Sequence, residues 1–385
     1  MDIRALVLIN SADGNGDIGV PFSSPLALLD VAGKSALQRT TERLRQHGAS
    51  EVTAVIEGPV ASASRSNGTG LPQCISTSRE RFWRVAENTF NEMAQAGAEL
   101  VILVRLGAYA ELDFEKLIQF HLDRGCRVSQ VVRAGEPMEV FCVSASRRND
   151  AASLFRSQLS RCRTDCPMME NSGYFNELSD AHDLRQFAID ILTLVTETRP
   201  AGKEIRPGVW AAAGAQIEKG ARILAPAFVG SLTKIRSGAV VTRCTSVEHH
   251  SEVDCGTVVE NTTVLPYSYI GAGLDVAHSV VGELQIANLR RQAVVEIVDS
   301  KLIGHVAATS GQKVLTAAAE FFSYLPRQAW QGIFGRRQVQ PDLSDALQQT
   351  SPTLGKAAGY EAPACNTEAA DDFASLAVAR RYGHQ

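Results

Sequence analysis

Residues 205–270 read, in groups of six, IRPGVW AAAGAQ IEKGAR ILAPAF VGSLTK IRSGAV VTRCTS VEHHSE VDCGTV VENTTV LPYSYI. The first place of these eleven groups holds Ile, Val or Leu ten times, with Ala211 the exception. The fifth place holds Ala, Thr or Ser nine times, with Val209 and Tyr269 outside. A six-residue phase kept this long is the signature of a parallel β-helix, in which each hexad forms one flat side of a triangular coil. The aliphatic first residue points inward and the small fifth residue packs near the corner. Gly208, Gly214, Gly220, Gly238 and Gly256 relieve the turns. Three hexads close a coil, so eleven give between three and four coils. Stacked coils bury an aliphatic column that no single coil can bury. Ile217, Ile223, Val229, Ile235, Val241, Val253 and Val259 are its expected members.

After Tyr269 the phase slips. Ile270, Val276, Val280, Val281 and Ile286 suggest further coils, and AVVEIVDSKLIGHV (293–306) suggests one or two more. An insertion near Gly271–Gly273 would account for the slip. The repeat region is taken as 205–310.

Upstream, the pattern changes to strands alternating with helices. ALVLIN (5–10), EVTAVIEG (51–58) and ELVILVRL (99–106) read as strands. The last is apolar throughout, as in a sheet covered on both faces. Helices are expected around 36–47, over 78–97, around 114–125, over 147–162 and over 181–196. RVSQVV and MEVFCVSA read as two more strands. Alternation of this kind predicts a parallel sheet in a layered, Rossmann-like α/β domain spanning 1–200.

The order of segments in this domain resembles the sugar-1-phosphate nucleotidyltransferases, the NDP-sugar pyrophosphorylases of the mannose-1-phosphate guanylyltransferase type. LVLI (6–9) corresponds to their first strand and GNGDIGVPF (14–22) to their glycine-rich loop. SPLALLDVAGKS (24–35) and the helix ALQRTTERL (36–44) follow in the same order. AELDFEKLIQFHLDRGCRVSQVV (110–132) resembles the region after the family's metal-binding aspartate. The resemblance implies an α/β nucleotidyltransferase-like domain followed by an all-β left-handed parallel β-helix. The left-handedness comes from the family and not from the period.

The letters that carry the family's chemistry are replaced. Ile18 stands at the loop arginine, Leu26 follows Pro25 where a lysine is expected, and Leu106–Gly107 stands at the Gly-Asp that holds magnesium. Residues 104–110, VRLGAYA, contain no acid. Nucleotidyl transfer needs charge neutralised on the phosphates by metal and cationic side chains. Gly14, Gly16 and Gly19 still allow a tight turn whose backbone N–H groups could cradle a nucleotide or sugar phosphate. Lys34 keeps its family position. No catalytic or metal-binding residue is assigned. Glu111 and Asp113 would carry the metal if the chain were an active, Mg2+-dependent nucleotidyltransferase.

Other readings are weaker. Asp13, Asn15 and Asp17 alternate as in a calcium loop, but Ile18 and Ser24 replace its Gly and Glu. Cys162 and Cys166 lack the partners of a zinc site. His249, His250 and His278 are candidates for the general base of a hexapeptide-repeat acyltransferase, against the plainer reading of exposed corner histidines.

The bulk numbers agree with two globular domains and a tail. The chain has 385 residues, 45% hydrophobic and 21% charged, with a net charge of −4. That balance gives no basic surface for nucleic acid. MDIRALVLIN is too short for a signal peptide and no membrane-length apolar run occurs, so a cytoplasmic protein with reduced cysteines is expected. Residues 311–336 read as a helix capping the column or, with Arg336 and Arg337 beside it, as a peripheral membrane anchor. Residues 337–385 read as largely disordered. A homo-oligomer built through the coil, a trimer by analogy, is expected. The functional expectation is a pseudoenzyme that binds or scaffolds in sugar-nucleotide or cell-envelope polysaccharide metabolism. An active nucleotidyltransferase and an acyltransferase are the alternatives.

Overall fold

The computed structural model describes residues 1–10, 25–58, 71–145, 166–282 and 284–306. The glycine-rich loop, the helix expected over 147–162, the segment 311–336 and the tail all lie outside them.

The first region is a seven-stranded sheet. Its strands are β1 (Ile3–Ile9), β2 (Glu51–Glu57), β3 (Gln73–Thr77), β4 (Leu100–Arg105), β5 (Val128–Arg133), β6 (Glu136–Ser144) and β7 (Met168–Glu170). The order is β7-β5-β6-β4-β1-β2-β3. β1 lies parallel to β2, pairing Arg4 with Glu51, and parallel to β4, pairing Ile3 with Leu100. β6 runs antiparallel to both β4 and β5. The sheet is therefore mixed, because the short turn at Ala134–Gly135 folds β5 and β6 into a hairpin, and two parallel neighbours need a longer crossover.

Alternation along β1 divides the apolar interior. Ala5, Val7 and Ile9 face one layer. Leu6 and Leu8 face the other, against Phe82, Ala86, Phe90 and Met93. Those four belong to helix α2 (Phe82–Gln95), preceded by a 3-10 turn over Arg79–Arg81, within the helix expected over 78–97. The opposite layer holds α1 (Ala36–Gln46), α3 (Phe114–Arg124) and α4 (Ala181–Leu192), the last shorter than the expected 181–196. Side chains of Ser35, Asp113 and Asp180 cap these three helices by accepting from Gln38, Lys116 and Asp183 N–H, each satisfying a donor that the helix start leaves free.

The second region is rich in short parallel strands, set in three sheets of eight, five and four strands. Strands pair with the next turn of chain 18 residues on: Val229 with Val247, Ile235 with Val253, Val241 with Val259. These six, with Ile223, are buried in one apolar column. Ile217 is the exception at 36% exposed. Its strand, Gln216–Ile217, ends its sheet, so nothing stacks beneath it. The Thr and Ser hydroxyls at the fifth place bond backbone across the coil. Thr233 Oγ1 donates to Glu248 O at 2.8 Å and Ser251 Oγ to Leu265 O at 2.9 Å.

The phase slip is a deletion, and it lies earlier than the insertion expected near Gly271–Gly273. Val247 pairs with Val264 and Val253 with Ile270, a spacing of 17. One corner shows why. Arg243 and Cys244 both take positive φ at that corner, whereas Asn261 and then His278 do so alone in the next two turns. Val264 therefore faces the column, and Leu265 packs outward against the α/β region.

One further turn forms, with Asp275–Ala277 and Ser279–Gly282 parallel to the strands of the turn before and Val276 and Val281 in the column, but among the described residues no coil follows it. Gln285–Asn288 and Ala293–Glu296 turn back antiparallel on Ser279–Gly282, and Ile303–His305 pairs antiparallel with Ser268–Ile270. Ile303 is buried on the column, with Ile286 and Ile297 packed beside it. The chain's own residues 285–305 thus cover the end that a helix over 311–336 was expected to cap.

Candidate functional site

In open α/β sheets ligands bind outside the carboxyl ends of the strands, where neighbouring strands send their connections opposite ways. Here that point lies between β1 and β4. Asn10 follows β1, and Arg105 ends β4. Arg105 Nε donates to Asn10 Oδ1 at 3.1 Å, and its terminal nitrogen sits 3.0 and 2.9 Å from the two carboxylate oxygens of Glu139. The guanidinium carbon lies 5.8 Å from the ring centre of Trp83, whose indole is 46% exposed. Glu139 holds a positive φ of 55°, uncommon outside glycine and a form of local strain that clusters at functional sites. The site offers a fixed planar cation beside an open aromatic face. Such a pair suits an anionic group attached to a flat ring.

Leu106, read with Gly107 as the expected place of a metal-binding acid, is buried, and Gly107 is exposed. Leu26 is buried in a 3-10 turn. The two fallback acids are committed elsewhere. Both oxygens of Glu111 accept backbone N–H groups, from Glu197 and Thr198, each at 2.9 Å, and its side chain is buried. Asp113 caps α3 and sits 3.5 Å from Lys116 Nζ. Both acids therefore already have partners among the described residues. Among the described residues no group of three or more His, Cys, Asp or Glu is arranged to hold a metal ion. Gly14, Gly16, Gly19 and the Asp13–Asp17 alternation lie outside the described residues. Lys34 is placed in a small hairpin, where its Nζ meets both Glu42 oxygens at 2.9 and 2.7 Å.

That hairpin docks the coil. Its turn residues Ala32 and Gly33 donate their N–H groups to the two oxygens of Glu248, at 2.7 and 2.8 Å, and Ser246 Oγ donates to the same carboxylate. Burial pushes the Glu248 carboxyl up to about 7, and neighbouring Asp30 adds to the rise, against the pull of the three hydrogen bonds. A Cβ on Gly33 would lie 2.6 Å from Ala201 Cβ and 2.8 Å from Phe228 Cζ, so only glycine fits. Buried Arg39 ties the inner side, donating to Val31 O, Ala32 O and Arg199 O. A second tie runs from α4. Arg185 donates to Cys244 O, Asn261 O, Asn261 Oδ1 and Thr263 Oγ1, at the corner where the coil loses its residue. Burial pushes this guanidinium down to about 10, which leaves it charged at neutral pH.

The histidines belong to the same joint. His249 is buried with Nε2 3.1 Å from Asp30 Oδ2, and its Nδ1 lies 3.0 Å from His250 Nδ1. His250 stacks on Tyr267 at 4.8 Å, and Tyr267 on His305 at 5.6 Å. His278 Nδ1 is 2.7 Å from Asn261 Nδ2. His249 is thus buried against a carboxylate in the joint, outside the coil's own column, and His250 is half-buried beside it, so neither is the exposed corner histidine of the plainer reading.

Sequence reasoning missed Arg105, Asn10, Glu139 and Trp83. Arg105 was visible as the one charge in the apolar run LVILVRL, but Glu139 reaches it only through the antiparallel pairing of β6. No helix among the described residues is long and apolar enough to cross a membrane. The chain matches no protein-family model and no curated protein sequence.

Proposed function

We propose that this chain is a sugar-nucleotidyltransferase-like binding or scaffolding protein that has exchanged catalysis for anion recognition at the sheet edge. The single supporting observation is the charge at the end of β4. A metal-assisted transferase needs a carboxylate there; this chain presents Arg105, held by Asn10 and Glu139. Glu111 and Asp113, the next acids along the chain, already serve backbone groups. A phosphate of a sugar nucleotide would take the place of Glu139 on the guanidinium, and the base would stack on Trp83. The coil fits a left-handed β-helix on the resemblance of its hexads, and its service in sugar-nucleotide or envelope-polysaccharide metabolism rests on the same resemblance.

The test has two arms. Pyrophosphate release is measured with magnesium, the common nucleoside triphosphates and several hexose 1-phosphates. No turnover is expected, and a rate of about one per second, ordinary for an enzyme, overturns the reading. Thermal shift with nucleoside diphosphate sugars is measured alongside. A stabilisation that Arg105→Ala abolishes and Glu139→Gln increases supports it.

A further inference from the structure

The three sides of the coil differ in what their outward residues already touch. The side that contains Ala227–Val229 turns Phe228, Leu265 and Val280 into the core shared with the α/β region. The side that contains Lys234–Ile235 carries several polar pairs of its own. Arg236 bonds Glu218 at 2.7 Å and Glu252 at 3.0 Å, and Tyr269 Oη donates to Asp254 at 2.5 Å. The third side has strands Arg222–Ile223, Val240–Thr242, Val258–Glu260 and Asp275–Ala277. Its inward residues are Ile223, Val241, Val259 and Val276. Its outward row is Arg222, Val240, Val258 and Asp275, in direct register. Arg222 and Asp275 are exposed, and neither has an ion pair among the described residues; the valines between them are half-buried.

We infer that this third side binds a second copy of the chain across a two-fold axis that lies in the plane of the interface, at right angles to the coil axis, so that the coil axes are antiparallel. A two-fold contact must be complementary to itself. Antiparallel coils set Arg222 of one copy against Asp275 of the other at both ends of the row, and Val240 against Val258 in the middle. A two-fold axis parallel to the coil axis would instead set arginine on arginine and aspartate on aspartate along this face. Like charges in contact select against that arrangement. Exposed Leu224 sits beside Arg222 at the end of the row. Four strands at the usual spacing make a row only about 14 Å tall. That is a small interface, so a dissociation constant on the order of 10 μM is expected.

The experiment is sedimentation equilibrium on the full-length chain from about 5 to about 200 μM at low salt, a range that brackets this affinity. A dimer is expected. Arg222→Asp alone and Asp275→Arg alone should each weaken it by about tenfold or more, since each places two like-charged contacts in the interface. An equimolar mixture of the two single variants should dimerise again, because every end of the mixed row meets its opposite charge. The double variant should do so with itself. Unchanged melting of the singles shows that the fold is intact, as both side chains are exposed. A wild-type monomer throughout the range overturns the inference. So does a trimer indifferent to the swaps, or single variants that stay apart when mixed.

Discussion

In the coil the first and fifth places of the hexad carry the burial, whereas along β1 burial on a given face alternates residue by residue. Ile235 and Val253 share one column with the inward residues of the other two sides. In the α/β region Val7 and Leu8 belong to different layers, each covered by its own helices. The coil is thus a one-dimensional stack in which each turn depends on its neighbours, and the sheet spreads its stability over two interiors. The joint between them sets the polar ties of Glu248, Arg39 and Arg185 around a shared apolar core that includes Phe228, Leu265 and Val280. The difference teaches where each region can be broken. A charge in the column should be fatal, a charge at its open end harmless, and a change in the joint intermediate.

The largest effect should come from Ile235→Asp, since Ile235 is fully buried. An unpaired carboxylate there costs on the order of 5 kcal/mol, a large share of total stability. Ile217→Asp changes the same hexad place but at an exposed position, and should cost under about 1 kcal/mol. Urea unfolding of both variants measures the contrast. Equal losses would mean that the first turn of the coil is covered after all.

Next comes Glu248, whose carboxyl burial pushes up to about 7. The sign follows from linkage. A pKa raised on folding means that the folded state holds the proton more tightly than the unfolded chain. Stability from this group is complete below the ordinary glutamate pKa and is lost as pH rises through about 7. The loss is on the order of 3 kcal/mol. Glu248→Gln cannot titrate. Its stability relative to wild type should improve by about that amount between acid and mildly alkaline pH. A difference that does not vary with pH would show that the carboxylate stays ionised on the Ala32 and Gly33 N–H groups.

Arg185→Met tests the other tie. It keeps most of the side chain's bulk but leaves the Cys244 and Asn261 carbonyls without this donor. A loss of about 2 kcal/mol is expected, the ordinary cost of stranding buried acceptors. Calorimetry that shows coil and sheet melting as two separate transitions in this variant would sharpen the comparison, marking the joint as what couples them.

The hexads made the column legible because each inward residue repeats its neighbour's environment, and six of the seven named residues lie in it. Ile217 failed because a period carries no mark of where a stack begins. The slip at Asn261 was visible as a broken phase, but its sign was not, since losing one corner residue and gaining several give the same later pattern. The end cap was misread because Ile286 suits an antiparallel return as well as another turn, while Val280 and Val281 do belong to one. In the α/β region β1, β2 and β4 were plain from apolar runs, whereas the antiparallel entry of β6 depends on a short turn. The joint was almost unreadable. Glu248 and Arg185 are far apart in sequence, and VEHHSE drew notice for its histidines rather than for the acid beside them.

The smallest expected effect is at Lys34, the residue that keeps its family position. Its ammonium pairs with Glu42, and both side chains are about one-third exposed at 31% and 30%. Solvent screens such a pair, so Lys34→Met should change stability by no more than about 0.5 kcal/mol. The informative measurement is made with ligand present. If the anion sits on Arg105 alone, the thermal stabilisation by a nucleoside diphosphate sugar should survive Lys34→Met and vanish in Arg105→Ala. The physical reason is that Lys34 already has a carboxylate partner in its own hairpin layer, whereas Arg105 shares the open sheet edge with the exposed indole of Trp83. If Lys34→Met removes the stabilisation as completely as Arg105→Ala, the ligand must draw Lys34 away from Glu42. The binding site would then extend from the sheet edge to the hairpin that Glu248 holds, and ligand binding and coil docking would share one element.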